Sequence, residues 1–491
     1  MSSKKSAAAI LVLMLTVAIL ASAASSTPEE LSESAKRAHS VGEYKKAADL
    51  FSRAIKSEPD NADLYFRRGL AYERLGTNKE AIEDYTRALR INPRMETAFN
   101  NRGSAYYREG NFDKAIENYS RAIELNSAYA LAYYNRGNAY YGKGNLQKAI
   151  EDFSRAIEID ARDPDAHNNR GWALLQSNKL EASIKDFDEA IKLRPSHALA
   201  YYNRGTARLK LGDLQNSIKD LSQAIEFDPQ YGLAHFQRGN ASFRKGDLDK
   251  AIEDYNSAVR LNPTFADIYN NRGWAFFKKG NNALALRDIS KALSLNPDLA
   301  RAYANRGYIH KSVNECPKAI PDFTRALELE RETATVYTYR SACYLAMNQV
   351  DKAVNDLEAA AKLDPDDAET LMALGSMKET AGDYEAAIKL FSRVASLLPE
   401  DPVAHFNLGV VLGKQGLIPE AIKELTRCIE LNPASREAYM KRGIAFEFQG
   451  DAVKAQSDFS AARGLPEQKQ SSNSPGEPVN TAQVKENATK P

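Results

Sequence analysis

Apolar residues recur at helical spacing through most of the chain, and the pattern itself repeats every 34 residues from residue 28 to residue 469. Thirteen units fit this period without insertion or deletion. They begin at residues 28, 62, 96, 130, 164, 198, 232, 266, 300, 334, 368, 402 and 436. Each unit predicts two amphipathic helices, which we call helix A and helix B, and positions within a unit are numbered 1 to 34.

Small and turn-forming residues at fixed positions predict where the helices end and how they pack. Position 15 is Gly or Asn in every unit, which suits the left-handed backbone that ends a helix, and nine units have Pro at position 32. Position 8 is Gly in eleven units, position 20 is always Ala or Ser, and position 24 is usually aromatic. A mid-helix glycine costs about 1 kcal/mol relative to alanine, so its recurrence indicates that helix A approaches helix B closely.

Arginine and aspartate vary together at positions 7 and 23. Ten units have Arg at position 7, and nine of these have Asp at position 23, whereas unit 11 has Leu374 and Leu390. This predicts a salt bridge between the two helices of one unit; shared descent of a few unit types is the alternative explanation. The predicted structural salt bridges are Arg136 with Asp152, Arg170 with Asp186 and Arg272 with Asp288.

The small residues at positions 8, 20 and 27, the aromatic at position 24 and the proline at position 32 resemble the tetratricopeptide repeat. Trp at position 4 of the family pattern is replaced here, for example by Tyr133 and Tyr201. The resemblance implies an all-α, right-handed superhelical α-solenoid of antiparallel helix pairs. It also implies that helix A residues line a concave groove that binds peptides or proteins.

Position 6, which would line this groove, is Asn in seven units. The row is similar to the asparagine ladder in the repeat domain of O-linked N-acetylglucosamine transferases, where amides grip the backbone of an extended peptide. The alternative is that the amides brace neighbouring helices, just as the groove aromatics could pack on adjacent A helices. The candidate partner-binding residues are Asn101, Asn135, Asn169, Asn203, Asn271 and Asn305, with Tyr134, Trp172, Tyr202, Phe236, Trp274 and Phe277.

The two ends of the chain differ from the repeats. Lys4 and Lys5 precede an apolar run at 7–21 and the small residues of "ASA", which predicts a secretory signal peptide over residues 1–23. We therefore expect export to the periplasm or the cell exterior. An uncleaved membrane anchor is the alternative, and only then would the protein contact a membrane. Residues 470–491 are polar and predict a disordered tail.

An exported protein with three cysteines invites a disulfide. Cys316 is at position 17 of unit 9 and Cys343 at position 10 of unit 10, places that face each other across adjacent units in the repeat fold that the chain resembles. Cys428 occupies position 27, which is alanine in eleven units, so we expect a buried and inert thiol.

No catalytic motif is present, so we expect a protein that is not an enzyme and that takes no cofactor, metal or small-molecule substrate. Lys plus Arg is 66 against 65 for Asp plus Glu, which gives no electrostatic reason to expect nucleic acid. The predicted function is a scaffold that binds a protein or an extended peptide in its groove. The alternatives are an adaptor subunit of a separate enzyme, such as a glycosyltransferase, and a self-assembling rod that stacks through its ends.

Overall fold

A computed structural model describes residues 27–330 and 333–465, which contain 26 α-helices and no β-strand. The predicted signal peptide and the predicted tail lie outside the described residues. The A helices are Pro28–Ser40, Ala62–Leu75, Glu96–Arg108, Ala130–Gly142, Pro164–Gln176, Ala198–Leu211, Gly232–Arg244, Ala266–Lys278, Ala300–Ser312, Ala334–Ala346, Ala368–Thr380, Pro402–Lys414 and Arg436–Gln449. The B helices are Tyr44–Ser57, Asn78–Ile91, Phe112–Leu125, Leu146–Ile159, Leu180–Leu193, Leu214–Phe227, Leu248–Leu261, Asn282–Leu295, Cys316–Leu329, Val350–Leu363, Tyr384–Leu397, Ile418–Leu431 and Ala452–Gly464.

The described residues divide into two compact parts, one up to residue 247 and one from residue 248 onward. Within each part, every described helix packs against the helix that follows it in the sequence, so that A and B helices alternate through the stack. The predicted all-α architecture of tandem helix pairs is therefore confirmed. None of the described helices combines the length and the apolar character that a membrane span requires.

The turn between helix A and helix B has a left-handed residue at position 15, as the sequence predicted. Ten of these residues are glycines and three are Asn178, Asn314 and Asn348, all with positive φ. The backbone N–H groups beyond helix A donate back to its last turn: for example, Gly144 donates to Tyr141 and Asn145 donates to Tyr140. The turn thus reverses the chain and satisfies carbonyl groups that the end of helix A would leave without partners.

Helix A and helix B approach most closely where position 8 meets position 24. A Cβ atom added to Gly137 would lie only 2.8 Å from Cε1 of Phe153. Ala149, at position 20 of the same unit, is fully buried. Glycine is required at position 8 of this unit because the ring of position 24 occupies the space that a side chain would need. The close packing of helix A on helix B compensates for the poor helix propensity of glycine.

Cys316 and Cys343 form a disulfide, and their Cα atoms lie 5.1 Å apart. The bond joins the start of helix Cys316–Leu329 to the helix Ala334–Ala346 of the following unit. Both cysteines belong to a buried cluster that includes Phe323. Cys428 is a buried free thiol, and burial raises its pKa to about 11, so the reactive thiolate is disfavoured at neutral pH.

Candidate functional site

The arginine of position 7 joins three helices. Nε and Nη2 of Arg136 donate to the two carboxylate oxygens of Asp152, each over 2.8 Å, while Nη1 donates to Ser120 Oγ over 2.9 Å. Asp152 is on helix B of the same unit and Ser120 is on helix B of the unit before. We call this arrangement the arginine clamp. Arg170 with Asp186 and Arg272 with Asp288 have the same two-pronged geometry.

The partner in the preceding unit, at position 25, was not predicted from the sequence. It is a short polar side chain wherever the clamp contact is formed: Ser52, Thr86, Ser120, Ser154, Asp188, Ser222, Asn256, Thr324 and Thr426. In most of these units the hydroxyl also donates to its own helix, as Ser154 does to the Ile150 carbonyl oxygen. The recurrence of a short polar residue at position 25, 16 residues before the arginine of the next unit, was the signal that could have revealed it.

The electrostatic balance of the clamp differs from unit to unit. Burial raises the pKa of the Asp84 carboxyl and outweighs the guanidinium of Arg68. Burial also acts to raise the pKa of Asp186, but the hydrogen bonds from Arg170 and the nearby His167 imidazole lower it overall. In unit 3 the partner is the neutral Asn118, and burial lowers the pKa of Arg102.

Unit 12, which lacks the arginine, uses a different pair. His405 Nδ1 lies 2.7 Å from Glu424 Oε2, so the position 23 acid pairs with position 4 rather than with Leu408 at position 7. Other position 4 histidines also face the protein interior: His167 is buried, with Nδ1 3.8 Å from Asp186. The described residues contain no cluster of three or more His, Cys, Asp or Glu side chains that could hold a metal ion.

Four of the seven position 6 asparagines donate to a side-chain oxygen at position 5 of the preceding unit. We call this contact the amide brace. The Nδ2 donors and their acceptors are Asn135 with Asn100 (3.0 Å), Asn169 with Tyr134 (2.9 Å), Asn203 with Asn168 (2.9 Å) and Asn305 with Asn270 (2.9 Å). The acceptors Asn100, Asn168 and Asn270 are buried, and each donates in turn to the position 6 asparagine of its own unit, namely Asn101, Asn169 or Asn271.

These contacts are the bracing of neighbouring helices that stood as the alternative to peptide binding. A primary amide has two N–H donors and one oxygen acceptor, so the brace uses only part of its capacity. The side-chain oxygens of Asn135 and Asn305 accept no hydrogen bond from the described residues. Asn203 differs because it is 3% exposed and so offers almost no surface to a ligand.

Truncating a buried member of the brace is expected to destabilise the stack. Asn168→Ala removes the acceptor of the buried Asn203 amide, and an unsatisfied buried donor costs about 1–3 kcal/mol. Asn138→Ala is the matched control, because Asn169 would keep its hydrogen bond to Tyr134. Urea denaturation followed by circular dichroism measures both losses. Equal midpoints for the two variants would contradict the structural importance of the brace.

The candidate aromatic residues of the first part mostly contact other side chains of the protein or are buried. The indole Nε1 of Trp172 donates to Tyr141 OH over 2.7 Å, and the Tyr134 ring lies 5.8 Å from that of Phe153. Tyr202 is buried against Tyr231, with ring centroids 4.8 Å apart, and Phe236 is also buried. Of these aromatic side chains, Trp172 and Tyr134 remain half-buried.

The second part carries a continuous row of half-buried rings, which we call the aromatic strip: Trp274, Phe277, Tyr308 and Tyr339. Ring centroids lie 5.1 Å apart for Trp274 and Phe277, 5.6 Å for Trp274 and Tyr308, and 4.8 Å for Tyr308 and Tyr339. The rings come from A helices of three successive units. The sequence singled out Trp274 and Phe277 as site residues; Tyr339 was missed because it stands at position 6, where asparagine is usual.

Models of the tetratricopeptide repeat family match most of the described chain. The model described as TPR repeat matches residues 103–144 and 239–280, and three models described as Tetratricopeptide repeat match residues 130–163 and 266–299, residues 34–96, 168–232 and 343–402, and residues 380–443. The chain therefore carries tetratricopeptide repeats. No curated protein matches the sequence.

Several solved structures are similar to this chain. Yeast Tom70 is 17% identical, covers 79% of this chain and 96% of its own, and has a TM-score of 0.41. A tetratricopeptide repeat protein from Parabacteroides merdae is 20% identical, covers 50% of this chain and 97% of its own, and has a TM-score of 0.42. YrrB, described as a TPR protein with an unusual peptide-binding site, is 26% identical, covers 38% of this chain and 96% of its own, and has a TM-score of 0.33.

Proposed function

We propose that this protein is an exported, non-catalytic scaffold of thirteen repeats that binds a protein partner on its A helices. A tetratricopeptide fold suggests an interaction scaffold with protein partners. The observation that carries the proposal is the aromatic strip, whose four half-buried rings span three A helices. The Trp274 indole N–H makes no hydrogen bond to the described residues, unlike that of Trp172. Trp and Tyr that are partly exposed and well packed are the residues that most often anchor partners.

Polar residues at the outer faces of the first and last units argue against a rod in which molecules stack end to end. Positions 3 and 10 are small or apolar in units 2 to 13, but in unit 1 they are Glu30 and Arg37, both exposed. Positions 21 and 28 are aliphatic in units 1 to 12, but in unit 13 they are Gln456 and Arg463, also exposed. Terminal repeats with polar outer faces are what keeps a repeat stack soluble.

The last unit also exposes Phe448 and Val453, at 78% and 82%. They stand at positions 13 and 18, on either side of the turn at Gly450, and not at positions 21 and 28, through which one unit would stack on another. The polar stacking positions therefore support the scaffold over the rod.

We further propose that the asparagine ladder binds the backbone of an extended peptide. The side-chain oxygens of Asn135 and Asn305 can accept from a peptide N–H while their Nδ2 groups keep the amide brace. An adaptor for a separate enzyme would use the same surface, and a single stoichiometric enzyme among the captured partners would favour it.

Affinity capture of partners from the exported fraction tests the proposal. We expect Trp274→Ala to lose the captured partner by about tenfold or more, since truncating an anchor costs about 1–2 kcal/mol. Trp172→Ala is the matched control, and we expect a smaller loss because its indole already bonds to Tyr141. Circular dichroism checks that both variants fold. Undiminished capture by a folded Trp274→Ala protein would place the binding surface elsewhere, and recovery of the protein only from the cytoplasm would contradict export.

A further inference from the structure

Two lysines flank the aromatic strip. Lys278 Nζ lies 5.5 Å from the centroid of the Trp274 ring, and Lys311 Nζ lies 5.6 Å from that of Tyr339. Both lysines are on A helices, those of units 8 and 9. We propose that the strip and these two ammonium groups form a binding site for an acidic polypeptide segment that also carries apolar side chains. The inference rests on the proposed function and names the chemistry of the partner.

Neighbouring A-helix cations are paired with carboxylates, but these two are not. On the A helix of Lys311, Arg301 bonds to Asp267 and Arg306 to Asp322, and Lys279, just beyond helix Ala266–Lys278, bonds to Asp249. Neither Lys278 nor Lys311 has a carboxylate within ion-pair distance among the described residues. The ammonium groups of these two lysines are therefore available to bind a carboxylate of a partner.

Lys311 has the stronger electrostatic reason to take a carboxylate. It is half-buried, and burial lowers the pKa of its ammonium, while the charge of Glu369 acts in the opposite direction. A half-buried cation without a close anion is costly, and a carboxylate arriving at hydrogen-bond distance reduces that cost. The same charge repels a basic segment, so the site should favour acidic over basic partners.

The rings account for the apolar part of the ligand. Trp274, Phe277 and Tyr308 form one triangle of ring contacts, with centroids 5.1 to 5.7 Å apart, and Tyr339 extends it towards Lys311. Each ring is only half-buried, so its remaining surface can receive an apolar side chain. A segment that alternates acidic and apolar residues matches both features.

Single-stranded nucleic acid is a different ligand that also uses cations and rings. Its backbone would need a track of unpaired positive charge, and such binding releases counterions from many phosphates. The strip offers two unpaired lysines, and the nearby Arg301 is already bonded to Asp267. The whole chain has a formal net charge of only +1. An acidic polypeptide therefore fits better, and an oligonucleotide serves as a competing probe.

Fluorescence anisotropy with labelled probes tests the inference on the full-length protein. The probes are a twelve-residue peptide alternating Glu with Phe and Leu, its Gln and Lys analogues, and a twelve-residue oligothymidylate. We expect the Glu peptide to bind about tenfold or more tightly than the Gln peptide, and the difference to shrink as salt rises. Equal affinity for the Glu and Gln peptides, or tighter binding of the Lys peptide or the oligothymidylate, would overturn it.

Single lysine substitutions test whether Lys278 and Lys311 cause the preference for the Glu peptide. Lys278→Met and Lys311→Met should each weaken the Glu peptide several-fold and leave the Gln peptide unchanged, whereas Lys279→Met, whose lysine bonds to Asp249, should change neither. Unchanged binding of the Glu peptide by both variants would also overturn the inference. If the Gln peptide binds as tightly as the Glu peptide and Trp274→Ala abolishes its binding, the acidic preference is wrong. The proposed scaffold function would still be supported.

Discussion

Arg136→Leu is expected to destabilise the protein by about 3–5 kcal/mol, because the variant leaves a buried carboxylate without its cation. The side chain of Asp152 is 8% exposed and both of its oxygens accept from Arg136. Ser120 loses its contact with the guanidinium as well, so the clamp opens towards the preceding unit too. Arg136 is a cleaner choice than Arg272, because Arg287 lies 3.5 Å from Asp288 and could partly replace the lost cation.

Replacing both members of the pair by leucine should cost less than replacing the arginine alone. Burying two apolar side chains is often neutral or favourable where a lone buried charge is not. Unit 11 already has leucine at both positions, with Leu374 buried. Hydrogen exchange of helices 130–142 and 146–159 would localise the loss, and urea denaturation would give its size. An equal or greater loss in the double variant would contradict the importance of the Arg136–Asp152 pair.

Gly273→Ala is expected to cost about 1–3 kcal/mol, as overpacking of a close-packed core does. Its Cβ would lie 2.7 Å from Ile289 Cγ1 and 3.0 Å from the Ala285 carbonyl oxygen. The side chain could move aside, but the backbone oxygen of Ala285 is held in helix Asn282–Leu295. The two helices of the unit must therefore separate.

Gly413→Ala is the matched control for this substitution. Gly413 is also inside an A helix, but the nearest atom to its added Cβ is Ala421 Cβ at 3.8 Å, which is an ordinary contact. Helix propensity then acts alone and should stabilise this variant by roughly 0.5–1 kcal/mol. Thermal denaturation of the two variants should give shifts of opposite sign. A stabilised Gly273→Ala would mean that the close approach of helix A to helix B is not required.

Contacts within one unit could be predicted from the sequence because the same pair of positions recurs along the chain. Arg136 and Asp152 are separated by a fixed 16 residues, and changes at one position accompany changes at the other in other units. The turn residues and the glycine of position 8 were evident for the same reason, since backbone conformation and steric exclusion admit few residue types.

The amide brace between units could not be predicted in this way. The amide brace links Asn203 to Asn168 over 35 residues, and its acceptor is Asn in some units and Tyr in another, so no single pair of residue types marks it. Position 6 alone suggested a ladder for a ligand, whereas the structure shows that its Nδ2 groups are bonded to the neighbouring helix. Side-chain direction, which the repeat pattern does not specify, brings these Nδ2 groups to their acceptors on the preceding A helix.

The sequence by itself determined the period, the alternation of helices and the contacts inside each unit, because these depend on local spacing and on which residue types a position tolerates. Only the tertiary structure showed that Tyr339 extends the ring row of Trp274, and that Lys278 and Lys311 have no carboxylate partner while Lys279 has one. Adjacent lysines look alike in a sequence. The rotation of each helix against its neighbours decides which of them meets an acid and which meets a ring.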